Sequence, residues 1–178
     1  IVWKKKLYLI EDSAQSHGAP IKDKKINIFG NLACFSFYPG KNLGSLCDGG
    51  AIVTNSKNLY NKLVKLRNYG STKKYFHKTF GVNSRLNILS SIFLNHKLDY
   101  LNKEIKIRKM QIDLYIKNIN WNKSLDYLKS GKKIVSANHI FLVKTKLRNK
   151  LKNFLKNHNI ETIIHYPIIP PMQAYYYK

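Results

Sequence analysis

Lysine is common in this chain of 178 residues, but Lys41 is set apart because it follows a short apolar run, Ala33 to Tyr38, on a Pro39-Gly40 bend. An amine held still at the end of a strand, in small and mostly apolar surroundings, can shed its proton and attack a carbonyl; a lysine on a surface turn does neither. Taken alone, Lys41 admits both readings. A second stretch, Leu7-Tyr8-Leu9-Ile10-Glu11-Asp12, runs four apolar residues into carboxylates. It reads as a buried strand over residues 6–10 with Asp12 at its carboxyl end, where open α/β sheets place their ligands. A lone aspartate there would more often be a turn or helix-cap acid.

Taken together, the two strand ends would face one crevice. An amine able to condense with an aldehyde, beside an acid able to keep a pyridinium nitrogen protonated, is the minimum equipment for pyridoxal phosphate chemistry. Ser36, at the end of the Ala33 to Tyr38 strand, is placed to hydrogen-bond the cofactor phosphate. Gly44 to Gly50 forms a loop whose glycines let backbone pass close to the cofactor. It returns to a third strand, Ala51 to Thr54.

The motifs carrying this chemistry resemble those of the DegT/DnrJ/EryC1/StrS sugar aminotransferases. They are Glu11-Asp12-Ser13-Ala14-Gln15-Ser16-His17-Gly18-Ala19, Phe29-Gly30, Cys34 through Gly44, Asp48-Gly49-Gly50-Ala51, Leu66-Arg67-Asn68-Tyr69-Gly70 and Gly81-Val82-Asn83-Ser84-Arg85-Leu86. Their order and spacing match over roughly the first hundred residues. The resemblance implies an α/β fold of the type I pyridoxal-phosphate transferase group, aspartate aminotransferase-like. Residues 1–96 would be the C-terminal part of the large cofactor domain, and residues 97–178 a small α+β domain.

The resemblance also implies roles. Lys41 would hold the cofactor and shuttle a proton to and from the substrate carbon, Asp12 would meet the pyridine nitrogen, and Gln15 would lie near the ring face unless it is only a solvated helix residue. Asn83 would reach across a homodimer interface to the phosphate of the partner's cofactor, making the active site a shared one. His165, in a closing segment that resembles the family's substrate side, would be a substrate contact; Arg85, on its own residue type, would pair with a substrate or a structural carboxylate. The implied substrates are a nucleotide-linked keto-sugar, with a lean to the 3-keto position from residues 81–86, and an amino acid donor, glutamate. The product would be an amino sugar for a polysaccharide, lipopolysaccharide or secondary metabolite. Lys41 argues against the family's dehydratase branch, in which a histidine replaces the lysine.

Composition bounds the alternatives. The 44% hydrophobic content is ordinary for a packed globule. The two cysteines, Cys34 and Cys47, have no C-x-x-C spacing and read as reduced thiols in a cytoplasmic protein. The six histidines are scattered, so no metal site is expected. No apolar run approaches a membrane span. The net charge of +23, from 32 Lys and Arg against 9 Asp and Glu, favours polyanions. It is spread through nearly every segment, however, without a helix-turn-helix, zinc finger or aromatic-basic RNA motif, so no dedicated nucleic-acid partner is expected. The chain starts without methionine close to a strand and ends in Ala174 to Lys178. It is therefore expected to be a fragment, and the resemblance implies that roughly the first half of the cofactor domain is what it lacks; the alternatives are a dehydratase of the same family on the same cofactor, or an inactive fragment with a generically basic, nucleic-acid-binding surface.

The supporting elements follow from periodicity. A helix capped by Ser56 carries Leu59, Leu63 and Leu66 and stops near Gly70. Residues 71–80 are a basic, aromatic loop, lying over the site or merely solvated. Asn83 is also a candidate cap for Leu86, Leu89 and Phe93. Beyond Lys97 the pattern becomes long lysine-rich helix over residues 98–119. Then come a strand at His139 to Val143, a helix bearing Leu147, Leu151, Phe154 and Leu155, and a strand at Glu161 to Tyr166.

Overall fold

The computed structural model describes residues 4–19, 29–131 and 135–177; the lysine-bearing stretch Ile21 to Gly30, which reads as a polar loop or hairpin, lies outside them up to residue 28. The chain divides into two compact units, Ile1–Ile119 with Lys129–Phe141, and Asn120–Leu128 with Leu142–Lys178.

The first unit is built on a three-stranded sheet of β1 (Ile10–Asp12), β2 (Leu32–Ser36) and β3 (Gly50–Val53), in that order. β1 runs parallel to β2 with Asp12 opposite Cys34, and β2 runs antiparallel to β3 with Ser36 opposite Gly50. β1 is later and shorter than its apolar run suggests. Leu9 gives its backbone to Asn31 instead of a ladder: its N–H donates to Asn31 Oδ1 (2.8 Å), and Asn31 N donates to its carbonyl (2.8 Å).

Helix α1 (Lys57–Leu66) starts where Ser56 caps it, the Ser56 hydroxyl accepting from Leu59 N at 3.3 Å. The chain then turns at Gly70 with φ +67, where a side chain would meet the carbonyl of Thr79. The basic segment that follows is a hairpin, β4 (Ser71–Lys73) against β5 (Phe76–His77). With no glycine or proline between Val82 and Ser130, nothing interrupts helix α2, which runs 31 residues from Ile88 to Asn118. The change of pattern read near Lys97 falls inside it. Its cap is Asn87, whose Oδ1 accepts from Leu89 N at 2.8 Å. Asn83 does not cap it: the helix starts five residues later, at Ile88, and Asn83 is held in a bridge to Asn68.

One face of the sheet carries the core. Leu43, Leu94 and Leu101 are buried with Phe37 and Ile105 against them, and each buried leucine contributes about 1.5–3 kcal/mol. His17 joins this layer, its ring 5.3 Å from that of Phe35 and 5.8 Å from that of Phe37. It is 5% exposed, and neither ring nitrogen has a hydrogen-bond partner among the described residues. Burial first, then the nearby positive charges of His139 and Lys41, hold its pKa below the ordinary 6.5.

The second unit pairs β6 (Leu125–Tyr127) antiparallel with β7 (Val143–Thr145), followed by helix α3 (Arg148–Asn157) and short 3-10 turns at Pro170–Met172 and Ala174–Tyr177. Trp121 packs against Tyr127 at 4.8 Å between ring centroids. The strand expected at His139 to Val143 starts only at Val143. Residues 161–166 form no strand: among the described residues no neighbour pairs with them, and Ile163 is 80% exposed. Among the described residues no helix is long and apolar enough to cross a membrane.

Two outcomes follow for stability. Ser56→Ala removes the cap of α1 and should cost about 1 kcal/mol, read as a lower denaturant midpoint. For His17, the unfolded chain takes up a proton below about pH 6.5 that the native one resists, so its contribution to stability is whole above that pH and declines as pH falls toward the lowered native value. His17→Phe should therefore flatten the loss of stability between about pH 7 and about pH 5 in urea titrations.

Candidate active site

Parallel pairing brings Asp12 and Ser36 to the carboxyl ends of adjacent strands. Residues paired across a sheet, and residues two apart along a strand, share a face, so Asp12, Cys34, Ser36 and Ile52 lie on one side and Phe35 on the other. With Ser36 two residues beyond the partner of Asp12, their Cα atoms lie roughly 8 Å apart by strand geometry. Asp12 is exposed, and its Oδ1 accepts from Ala14 N at 3.1 Å, leaving the second oxygen for another donor. The hydroxyl of Ser36 accepts from Tyr38 N at 3.3 Å and keeps its own hydrogen to donate.

Gln15 follows on a turn, not a helix. That turn is tied to the sheet by Ser13 N donating to Cys34 O (2.8 Å) and closed by Ser16 N donating to Ser13 O (3.1 Å), with Gln15 exposed. Asp12, Gln15 and Ser36 thus gather at one edge.

Lys41 lies on the loop that leaves this edge. Phe37 N donates to Gly49 O and Ser45 N to Phe37 O, both at 2.8 Å, and Lys41 N donates to Tyr38 O at 2.9 Å. The loop doubles back so tightly that a side chain at Gly44 would run into the Pro39 carbonyl, which leaves glycine as the fitting residue. Lys41 is half-buried and takes part in no ion pair among the described residues. Behind it lies a set of polar groups that motif reading passed over. Asn42 is 3% exposed; its amide donates to Ala137 O at 2.7 Å, and its Oδ1 accepts from His139 Nδ1 at 3.2 Å. Since an amide oxygen only accepts, His139 carries its hydrogen on Nδ1. Asn42 stands in the quoted motif beside Lys41, but its partners lie 95 and 97 residues away, and no local spacing signals them.

Asn83 and Arg85 form a second group. Asn83 bridges Asn68, and Arg85 donates to Asn68 Oδ1 at 3.1 Å with its guanidinium 5.6 Å from the Tyr69 ring centroid. Arg85 helps line a cleft of about 770 Å³ with Arg67 at the end of α1 and with Lys73, Lys74 and Tyr75 of the hairpin, a basic and aromatic wall. His165 is in the second unit, exposed, with its ring edge-on to Tyr166 at 5.2 Å.

Comparison with known proteins places this arrangement. The chain is 43% identical over 176 residues to dTDP-3-amino-3,6-dideoxy-alpha-D-galactopyranose transaminase of Aneurinibacillus thermoaerophilus, covering 99% of this chain and 48% of that one. It is 37% identical over 162 residues to dTDP-3-amino-3,4,6-trideoxy-alpha-D-glucose transaminase of Streptomyces venezuelae, covering 91% of this chain and 43% of that one. Its fold superposes on the crystal structure of S. venezuelae DesV in complex with a ketimine intermediate with a TM-score of 0.93 at 35% identity, covering 99% of this chain and 47% of that one. The chain spans about half the length of the curated relatives it matches. The α/β fold expected from the motifs is thus the fold observed, and with the family's sequence profile matching residues 1–178, the chain belongs to the DegT/DnrJ/EryC1/StrS aminotransferase family.

Proposed function

We propose that this chain carries the lysine-bearing part of a pyridoxal-phosphate-dependent aminotransferase acting on a nucleotide-linked keto-sugar, with an amino acid, glutamate, as the nitrogen donor. The observation that carries this reading is the convergence of Asp12 and Ser36 at the ends of parallel strands, with Lys41 on the loop that follows. An open carboxylate oxygen, a hydroxyl free to donate and a primary amine without an ion partner among the described residues fit a phosphorylated pyridine aldehyde. The cofactor, when bound, supplies an electron sink for the pair left when a C–H bond beside nitrogen breaks.

The chain's own groups divide the remaining work. The Asp12 carboxylate holds a proton on the ring nitrogen, and Ser36 Oγ donates to the phosphate. Gln15 lies near the ring face. Lys41 Nζ would hold the cofactor aldehyde and is the base placed to take the proton from the donor's α-carbon. Asn83 donates to the phosphate in the partner subunit of a homodimer, so that each site is completed by the other chain. Arg85 and His165 are assigned to substrate anions and hydroxyls. The relatives named above are both 3-amino-sugar transaminases, which supports a 3-keto substrate. The product fits polysaccharide or secondary-metabolite synthesis in the cytoplasm. Lys41 stands where the dehydratase branch carries histidine, which favours amino transfer over dehydration.

The test uses the whole protein that contains this segment, with pyridoxal phosphate, glutamate and a dTDP-3-keto-6-deoxyhexose. Amino-sugar formation is expected for the wild type, and Lys41→Ala should lower it by at least about 10²-fold. Asn83→Ala should instead loosen the cofactor, seen as faster loss on dialysis. Undiminished turnover by Lys41→Ala would exclude the assignment.

A further inference from the structure

A reacting amine misplaced by about 1 Å costs roughly 10²-fold in rate, so the backbone that carries it has to be fixed on both sides of its Cα. On the amino side the Lys41 N–H is tied to Tyr38 O at 2.9 Å. On the carboxyl side the next residue, Asn42, buries its amide between Ala137 O (2.7 Å) and His139 Nδ1 (3.2 Å). Both partners come from the segment of the first unit that follows Lys129.

A buried amide with both ends satisfied resists rotation, because turning it would leave the Ala137 carbonyl and its own oxygen without partners in the interior. That locks the Cα–Cβ direction of Asn42, hence the peptide plane between residues 41 and 42. With Tyr38 holding the other side, the direction in which the Lys41 side chain leaves the backbone is set. Leu43 in the core and the obligatory glycine at position 44 close the same loop. An ordinary surface turn needs none of these.

We propose that Asn42 is the positioning residue for the Lys41 amine and that His139 holds Asn42 in place. This rests on the reading of Lys41 as the reacting amine. The two residues touch neither cofactor nor substrate in this role; they act through the backbone of the lysine. Residues 135–141 thereby become part of the catalytic apparatus although they lie far from every sequence motif.

The test uses the whole protein that contains this segment, loaded with pyridoxal phosphate, as wild type, Asn42→Ala, His139→Leu and His139→Gln. Three readouts are taken: the lysine that acquires a borohydride-reduced cofactor tag, by peptide mass spectrometry; the single-turnover rate with glutamate; and amide hydrogen exchange over residues 41–45. The expected result is a tag on Lys41 in all four proteins. Asn42→Ala should be slower by about 10²-fold with little change in KM, and should exchange faster over residues 41–45. His139→Gln, whose side-chain amide can still donate to Asn42, should keep most of the rate that His139→Leu loses. A tag on another lysine overturns this proposal together with the reading of Lys41. A tag on Lys41 with an Asn42→Ala rate within about threefold of wild type overturns the positioning role alone. Should Asn42→Ala fail to fold, equal single-turnover rates for His139→Leu and His139→Gln overturn it as well.

Discussion

The parallel pairing of Ile10–Asp12 with Leu32–Ser36 is the constraint on which the site depends. Parallel strands end on the same side, so a register that sets Asp12 opposite Cys34 necessarily brings an acid and a hydroxyl to one edge and one face. A slip of one residue would turn either Asp12 or the Cys34-Ser36 pair to the opposite face, the one carrying Phe35 and the buried His17. The register is guarded by that apolar face. Ala33 is buried, Leu43, Leu94 and Leu101 are buried with Phe37 packed against them, and the pairing that satisfies this core also delivers Asp12 and Ser36 to the other side.

The two faces are unequal in chemistry as well as in burial. On the core side, His17 is held neutral by burial between two phenylalanine rings and by the positive groups nearby. On the open side, Ile10 is 63% and Ile52 51% exposed, flanking Asp12 and Ser36 with apolar surface. An acid and a hydroxyl set among apolar side chains suit a flat ring that carries charge at two points of its rim. The sheet thus separates a packing problem from a binding problem, and β2 serves both with alternate residues.

Much of this was legible in the residues because it is local. The Pro-Gly bend, the Ser56 cap and the leucine spacing of α1 and α3 involve groups a few residues apart, and each is present, although Leu147 lies just outside α3 and makes no cap bond; the apolar run before Asp12 is not the buried strand it reads as, since the strand starts only at Ile10 and Leu7, Tyr8 and Ile10 are exposed. The misreadings come from competition between distant groups. Asn83 reads as a cap, but it is held in a bridge to Asn68 and the helix starts later, capped by Asn87. The apolar, β-branched run at residues 160–164 has strand propensity but no pairing partner, so it stays irregular. His139 reads as the start of a strand; its ring instead bonds Asn42, 97 residues earlier, and the ladder begins four residues later. At the site, Asp12, Ser36 and Lys41 were visible as residue types, whereas Asn42 was not, because its importance lies in burial that only the fold creates.

The abundance of lysine sharpens the question of how one of them could be special. With 32 basic residues against 9 acidic ones, the long-range field is positive throughout and cannot single out any position. Nor does a partner carboxylate, since Lys41 has no ion pair among the described residues. What distinguishes it is mechanical. An exposed lysine such as Lys109, paired with Asp113 one helical turn away at 63% side-chain exposure, has a flexible stem and a partner that solvent can replace. Lys41 sits on a loop closed at both ends by backbone bonds, folded over a glycine that a Cβ would break, and followed by a buried, doubly bonded amide. A single conformation of that loop satisfies all of these at once. The entropy that a catalytic amine would otherwise lose on meeting its target has then already been lost in folding, which is how one lysine among many becomes suited to nucleophilic chemistry.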